Sequence, residues 1–149
     1  MVKEARNAYT TPILCKPIPP KGDPIATEFR KKASVWLEQI PKHSRGAEIG
    51  VWKGEFTQLI YAIVQPAELH LIDPWEFQPD FAHCMYGGKV AKSQADMDLI
   101  HDHVQKRFEK LGPTFHRCYS SSALDEIEDE SLDWVYIDGN HAYEYVRDD

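Results

Sequence analysis

The sequence predicts an α/β fold built around a parallel β-sheet. Along its 149 residues, short apolar segments of strand length alternate with longer segments whose apolar side chains recur at helical spacing. Strands that alternate with helices form a parallel sheet joined by right-handed crossovers. The run at 134–137 is apolar at every position, which is typical of a strand covered on both faces.

Each element follows from its own pattern. Residues 8–24 hold five of the ten prolines. Because proline can continue neither a helix nor a central strand, residues 1–25 are predicted to form an extended N-terminal arm, and residues 26–149 the folded domain. Helices are predicted at 26–40, 56–64 and 97–111, from 123 and from 141, and strands at 47–51, 68–73, 114–120 and 133–138.

The composition restricts the possible partners and compartments. A net charge of −7 argues against nucleic acid, whose binding depends on clustered lysine and arginine, and favours a small-molecule ligand. No apolar run approaches the roughly 20 residues that a membrane span requires, so no membrane partner is predicted. Cys15, Cys84 and Cys118 lie far apart and form no CxxC pair, which indicates neither a disulfide framework nor a zinc site and favours a cytoplasmic location.

The stretch GAEIGVWKGEF, residues 46–56, lies where the first predicted strand turns directly into a helix. In open parallel sheets, ligands bind at the carboxyl ends of the strands. Gly50 allows a sharp turn and a close backbone approach, and Gly54 removes a Cβ at the helix start. The spacing matches neither a dinucleotide loop nor a P-loop. Glu48 instead lies where a diphosphate would be repelled and a cationic group favoured.

Asp73 ends the second predicted strand, 23 residues after Gly50. A carboxylate at this place can accept hydrogen bonds from both hydroxyls of a ribose, because each of its oxygens is a free acceptor. The two positions together imply a cofactor that contains a nucleoside. An NAD-dependent oxidoreductase is disfavoured, because the third glycine of a dinucleotide loop is missing.

The chain resembles class I S-adenosylmethionine-dependent methyltransferases in three segments that occur in order: EIGVWKG, LHLIDPW and SLDWVYIDGNHAYEYVRDD. Within that class, it resembles in particular the small-molecule O-methyltransferase branch, which has an IDGxHxYExV signature. The resemblance spans residues 26–149 and implies a Rossmann-like, doubly wound parallel sheet with strand order 3-2-1-4, from which the remaining strands of a seven-stranded fold are missing. It implies methyl transfer to a hydroxyl of a small molecule, such as a sugar or a glycosylated metabolite. The alternative is a non-catalytic cofactor-binding fragment completed by a partner chain.

The resemblance also implies roles for single residues. It places the methionine part of S-adenosylmethionine beside the first strand, the ribose at Asp73 and the adenine beside two serines. Asp138 would face the reacting methyl group, with His141 as the general base, because an imidazole can accept a proton near neutrality. Asp138 would orient His141 or hold a divalent cation such as Mg²⁺. The implied cofactor-binding residues are Glu48, Gly50, Trp52, Gly54, Asp73, Ser120 and Ser121.

Simpler roles are open for several of these residues. Ser121 and Ser122 with Asp125 match a helix-capping box, which would explain the serines without any adenine contact. Asp138 precedes a glycine and an asparagine and can belong to a plain turn. His141 can cap the helix that follows it.

The strand order 3-2-1-4 leaves the fourth strand at an edge of the sheet. The unpaired N–H and C=O groups of such an edge are a template for pairing with another chain. The sequence therefore predicts a homo-oligomer formed across this edge, or a further segment that covers it.

Overall fold

The computed structural model describes residues 24–140, 146, 147 and 149. In this part of the chain, four strands form one parallel sheet in the order β3-β2-β1-β4. The predicted α/β class and strand order are confirmed. The strands are β1 (Arg45–Ile49), β2 (Glu68–Ile72), β3 (Thr114–His116) and β4 (Trp134–Ile137).

Within the described residues, four α-helices accompany the strands: α1 (Pro24–Leu37), α2 (Glu55–Ile63), α3 (Gln94–Phe108) and α4 (Ser120–Ala123). Helix α1 begins two residues before its predicted start, because proline is tolerated in the first turn of a helix. Residues 1–23 of the predicted arm lie outside the described residues, as does most of the helix predicted from 141. No helix of the described part has the length and apolar character to cross a membrane. Shorter helical turns lie at Pro79–Phe81, Met85–Lys89, Glu109–Leu111 and Leu124–Glu126.

One face of the sheet packs against α1, α2 and α3. Side chains alternate along a strand, so Leu69 and Leu71 of β2 both point to this face, where they are buried. Trp75, which is fully buried, joins the end of β2 to the same core. This packing holds the carboxyl ends of the central strands rigidly against α2 and α3. The buried apolar residues of this core are Ala33, Leu37, Val51, Phe56, Ile60, Val64, Leu69, Leu71, Trp75, Ala91, Met97, Val104 and Phe108.

The second face of the sheet is covered only in part by the residues that the structure describes. Ile49 and Ile72 pack there against Ala123 of α4. On β4, by contrast, Val135 is 50% exposed and Ile137 is 38% exposed. The prediction that β4 is covered on both faces is therefore wrong within the described residues. The apolar run lies on an edge strand, and α4 does not extend over it. Association of copies across β4 stays a prediction.

Polar side chains close the second face over β2 and β3. His70 and His116 are buried there, with 2.9 Å between His70 Nδ1 and His116 Nε2. Their other ring nitrogens lie 3.0 Å from a Glu68 carboxylate oxygen and 2.8 Å from one of Glu126. The network ties β2 to β3 and holds the turn after α4 against the sheet.

Candidate functional site

The carboxyl ends of β1, β2 and β4 meet at one edge of the sheet, and each carries an acidic residue. Glu48 lies in β1, Asp73 follows β2 and Asp138 follows β4. The Asp138 N–H donates to the carbonyl of Ile49 (2.8 Å), which continues the pairing of β1 with β4 past the last residue of β4. Both aspartates are close enough for their negative charge to act on Glu48. The structure thus brings together three residues that the sequence predicted at one site.

The two predicted glycines have backbone conformations that other residues rarely adopt. Gly50 has φ +90°, and a Cβ at this position would lie 2.5 Å from the backbone oxygen of Asp138. Gly54 has φ +71°, and its Cβ would lie 2.5 Å from the ring of Phe108. Glycine therefore lets the chain after β1 pass close to the chain after β4, and lets α2 begin directly against α3.

Glu48 is a fully buried carboxyl group with one unpaired oxygen. Its Oε2 accepts a hydrogen bond from the Thr57 hydroxyl (2.6 Å), whereas its Oε1 has no hydrogen-bond partner among the described residues. Burial, which is the largest effect, and the negative charges of Asp138 and Asp73 together raise the pKa of Glu48 from 4.5 to about 8, against the opposing effect of the Thr57 hydrogen bond. A nearby cation would stabilise the ionised form of this group.

Asp73 is also buried, but its carboxylate is well supplied with donors. Oδ1 accepts from the Trp75 N–H (2.7 Å), and Oδ2 accepts from the Trp52 N–H (2.9 Å) and from the Tyr86 hydroxyl. Burial raises the pKa of Asp73, and these three hydrogen bonds, together with the backbone of Val51, oppose that rise. The residue predicted to bind a ribose is thus already bound by groups of its own chain.

The two tryptophans that donate to Asp73 have left-handed backbone conformations. Trp52 has φ +53° and Trp75 has φ +40°, a region that costs a bulky residue about 1–3 kcal/mol. The Trp75 indole N–H also donates to the Trp52 carbonyl (2.9 Å), so the two loops support each other. The Asp73 carboxylate stabilises both strained backbones. It is the backbone N–H of Trp52, and not its indole, that contacts Asp73.

The serines predicted to flank the adenine lie at the start of α4. The Ser120 hydroxyl donates to the carboxylate of Asp149, and Ser121 is exposed. The N-cap of α4 is Tyr119, and no side chain caps the helix. The alternative capping box is therefore wrong, because Ser121 and Ser122 lie inside the helix and not at its N-cap.

The predicted catalytic pair is described only in part. Asp138 is half-buried at the end of β4, beside the Gly50 turn. His141 lies outside the described residues, so its role as a base stays a prediction.

Comparison with known proteins decides the family. A family model described as a methyltransferase domain matches residues 47–149, more than two-thirds of the chain. The chain belongs to this methyltransferase family. It is also 28% identical over 156 residues to y4gI, an uncharacterized protein of Sinorhizobium fredii (strain NBRC 101917 / NGR234). That match covers 100% of the chain but only 16% of the relative, so the chain spans a small part of that protein's length.

Tyr86 is a described residue of the candidate site that the sequence analysis did not single out. It lies in the turn Met85–Lys89, inside the long connection between β2 and α3. Its hydroxyl donates to Asp73, and its ring lies 4.7 Å from that of Trp52, centroid to centroid. No periodic pattern marks such a residue. The only local signal is the pair of glycines that follows it.

Metal binding by the methyltransferase domain rests on the resemblance alone. Within residues 24–140, 146, 147 and 149, no group of three or more histidine, cysteine, aspartate and glutamate side chains is arranged to hold a metal ion. A divalent cation at Asp138 stays a prediction.

Proposed function

We propose that this methyltransferase domain binds S-adenosylmethionine and transfers its methyl group to a hydroxyl of a small molecule. The observation that carries the proposal is Glu48, a buried carboxyl group beside two further carboxylates, with one oxygen that has no hydrogen-bond partner among the described residues. Such a cluster disfavours phosphates and favours a ligand that carries positive charge. S-Adenosylmethionine carries a sulfonium and an ammonium group, so its charge fits this edge of the sheet.

We assign the other parts of this cofactor to residues at the same edge of the sheet. Asp73, at the end of β2, is the acceptor that would hold the ribose, and the residues around Glu48 and Gly50 would surround the methionine part. When bound, the cofactor supplies an activated methyl group. The chain's own residues would position the acceptor hydroxyl and remove its proton, which is the main catalytic demand of such a transfer. Asp138 and His141 are the candidates for that task.

The motif resemblance supports the choice of acceptor. The IDGxHxYExV signature at residues 137–146 is the one that implies a small-molecule hydroxyl, such as that of a sugar or a glycosylated metabolite. The net charge of −7 agrees with a small acceptor and disfavours a nucleic-acid substrate.

Asp73→Asn tests the cofactor assignment. Asparagine keeps the shape and one acceptor oxygen but loses the charge, so we expect S-adenosylmethionine binding to weaken by about 1.5–3 kcal/mol, the usual scale for hydrogen bonds to a charged group. Calorimetric titration measures the change. Thermal unfolding is followed in parallel because Asp73 also holds the Trp52 and Trp75 backbones. Asp80→Asn, at an exposed position, is the matched control. A folded Asp73→Asn variant with parental affinity would show that the ribose binds elsewhere.

His141→Ala tests the proposed base. In a form of the protein that shows methyl transfer, we expect turnover to fall by roughly 10²-fold while cofactor affinity stays near the parental value, as for loss of a general base. Single-turnover kinetics with a responsive acceptor measure the first quantity and calorimetry the second. His103→Ala, on the exposed side of α3, controls for the loss of a histidine. Unchanged turnover would assign His141 to capping or to the surface.

A further inference from the structure

The hydrogen bonds to Asp73 leave too few acceptor sites for a ribose. The two oxygens of a carboxylate offer about four lone-pair sites. Oδ2 uses two for the Trp52 N–H and the Tyr86 hydroxyl, and Oδ1 uses one for the Trp75 N–H. The side chain is only 1% exposed. While all three bonds are present, two adjacent ribose hydroxyls cannot both donate to Asp73, because only one acceptor site is left. The buried carboxylate is also inaccessible to them.

Of the three donors, only Tyr86 reaches Asp73 through a side chain, so its hydrogen bond can break while the two backbone bonds stay in place. The other two are backbone N–H groups, and their loops are joined by the bond from the Trp75 indole to the Trp52 carbonyl. Trp75 is itself fully buried in the main core. Tyr86 is half-buried and reaches Asp73 through a side chain from a separate turn.

The backbone hydrogen bonds of the turn that carries Tyr86 are made within its own connection, whereas its contact with the main core is the packing of the Tyr86 ring. The Gln78 N–H donates to the Tyr86 carbonyl (3.0 Å), and the Ala91 N–H donates to the Met85 carbonyl (3.0 Å). Gly88 has φ +142°, a conformation that glycine adopts without strain. A turn bonded in this way can move with its neighbours while the sheet hydrogen bonds stay intact.

We infer that Tyr86 is a gate residue, which occupies the ribose-binding acceptor of Asp73 in the ligand-free domain and is displaced when the cofactor binds. The inference rests on the proposed function, because it takes the incoming group to be the ribose of S-adenosylmethionine. The Tyr86 hydroxyl satisfies a buried carboxylate, and its ring contacts that of Trp52. The cofactor must replace this hydrogen bond, so the gate lowers affinity and selects ligands that carry two adjacent hydroxyls.

Tyr86→Phe separates the hydroxyl from the ring. Because the variant keeps the packing on Trp52 but has no hydrogen bond for the cofactor to replace, we expect S-adenosylmethionine and S-adenosylhomocysteine to bind about tenfold more tightly in calorimetric titrations. Tyr119→Phe is the matched control, since it removes a hydroxyl that donates to a different carboxylate, that of Glu76 (2.7 Å). Its affinity for both ligands should equal that of the parent. Equal or weaker binding by Tyr86→Phe, with the parent still binding, would overturn the gate and leave the proposed function intact.

A second measurement tests the gate without any ligand. Hydrogen exchange of the amides of residues 84–91 should be faster in Tyr86→Phe than in the parent, whereas exchange in β1 and β2 should be unchanged. Equal exchange in residues 84–91 would overturn the inference even if neither protein bound the cofactor. Absence of binding by all three proteins, together with faster exchange in the variant, would reject the proposed function and with it the ribose as the displacing group.

Discussion

Replacement of Gly50 by alanine is expected to lower the free energy of unfolding by about 3 kcal/mol or more. The added Cβ would lie 2.5 Å from the backbone oxygen of Asp138, and φ is +90°. The colliding atom belongs to the backbone directly after β4, where the Asp138 N–H bonds to Ile49. It therefore cannot move away without disturbing the pairing of β1 with β4. Chemical denaturation followed by circular dichroism measures the change.

Gly112→Ala is the matched control for this prediction. Gly112 also has a positive φ, +69°, but no atom lies within 4 Å of its would-be Cβ. The control therefore reports the conformational cost alone, about 1 kcal/mol. Equal losses in the two variants would mean that the backbone after β4 yields freely to the new methyl group.

The second large effect is a pH-dependent loss of stability caused by Glu48. Its pKa is about 8 in the folded protein and 4.5 ordinarily, so the folded state binds the proton more tightly. Stability is then complete below pH 4.5 and falls as the pH rises toward 8, because the unfolded chain releases the proton first. The loss by pH 8 is on the order of 4 kcal/mol. Glu48→Gln, which cannot ionise, should lack this decline.

The measurement is the free energy of unfolding of both proteins between pH 5 and pH 8.5. We expect the free energy of unfolding of Glu48→Gln to increase steadily relative to that of the parent as the pH rises. Glu109→Gln, at an exposed position after α3, is the control and should follow the parent. Parallel curves for the parent and Glu48→Gln would show that Glu48 ionises in the folded protein as readily as in the unfolded chain.

The sheet was predictable from the sequence because its determinants are local. Each strand is a short apolar segment next to a helical one, and this alternation suffices for the class and, with the motif order, for the arrangement 3-2-1-4. The exposure of Val135 and Ile137 was not predictable in the same way. An apolar run shows that a strand can be covered on both faces, but the actual cover depends on which distant helices reach it.

The site was predictable to a similar extent and for a similar reason. Glu48, Gly50 and Asp73 lie at or beside strand ends, and the carboxyl ends of parallel strands must meet at one edge. Tyr86 escapes such reasoning, because the path of a 21-residue connection between β2 and α3 has no period. The start of α4 was misplaced because Ser122 and Asp125 satisfy the capping pattern, which puts the first helical residue at 123, whereas the helix begins three residues earlier, at Ser120.

The three hydrogen bonds to Asp73 bear on how related sequences should be interpreted. Asp73 stabilises two strained tryptophan backbones, so selection for folding alone would retain it in a descendant that had lost its ligand. Glu48 is the opposite case, because a buried carboxyl group with one oxygen unpaired among the described residues weakens the fold near neutral pH and is advantageous only if something binds there. An aspartate at position 73 in a relative is therefore weak evidence of activity. A glutamate at position 48, kept against its cost to stability, is the more informative sign of a working site.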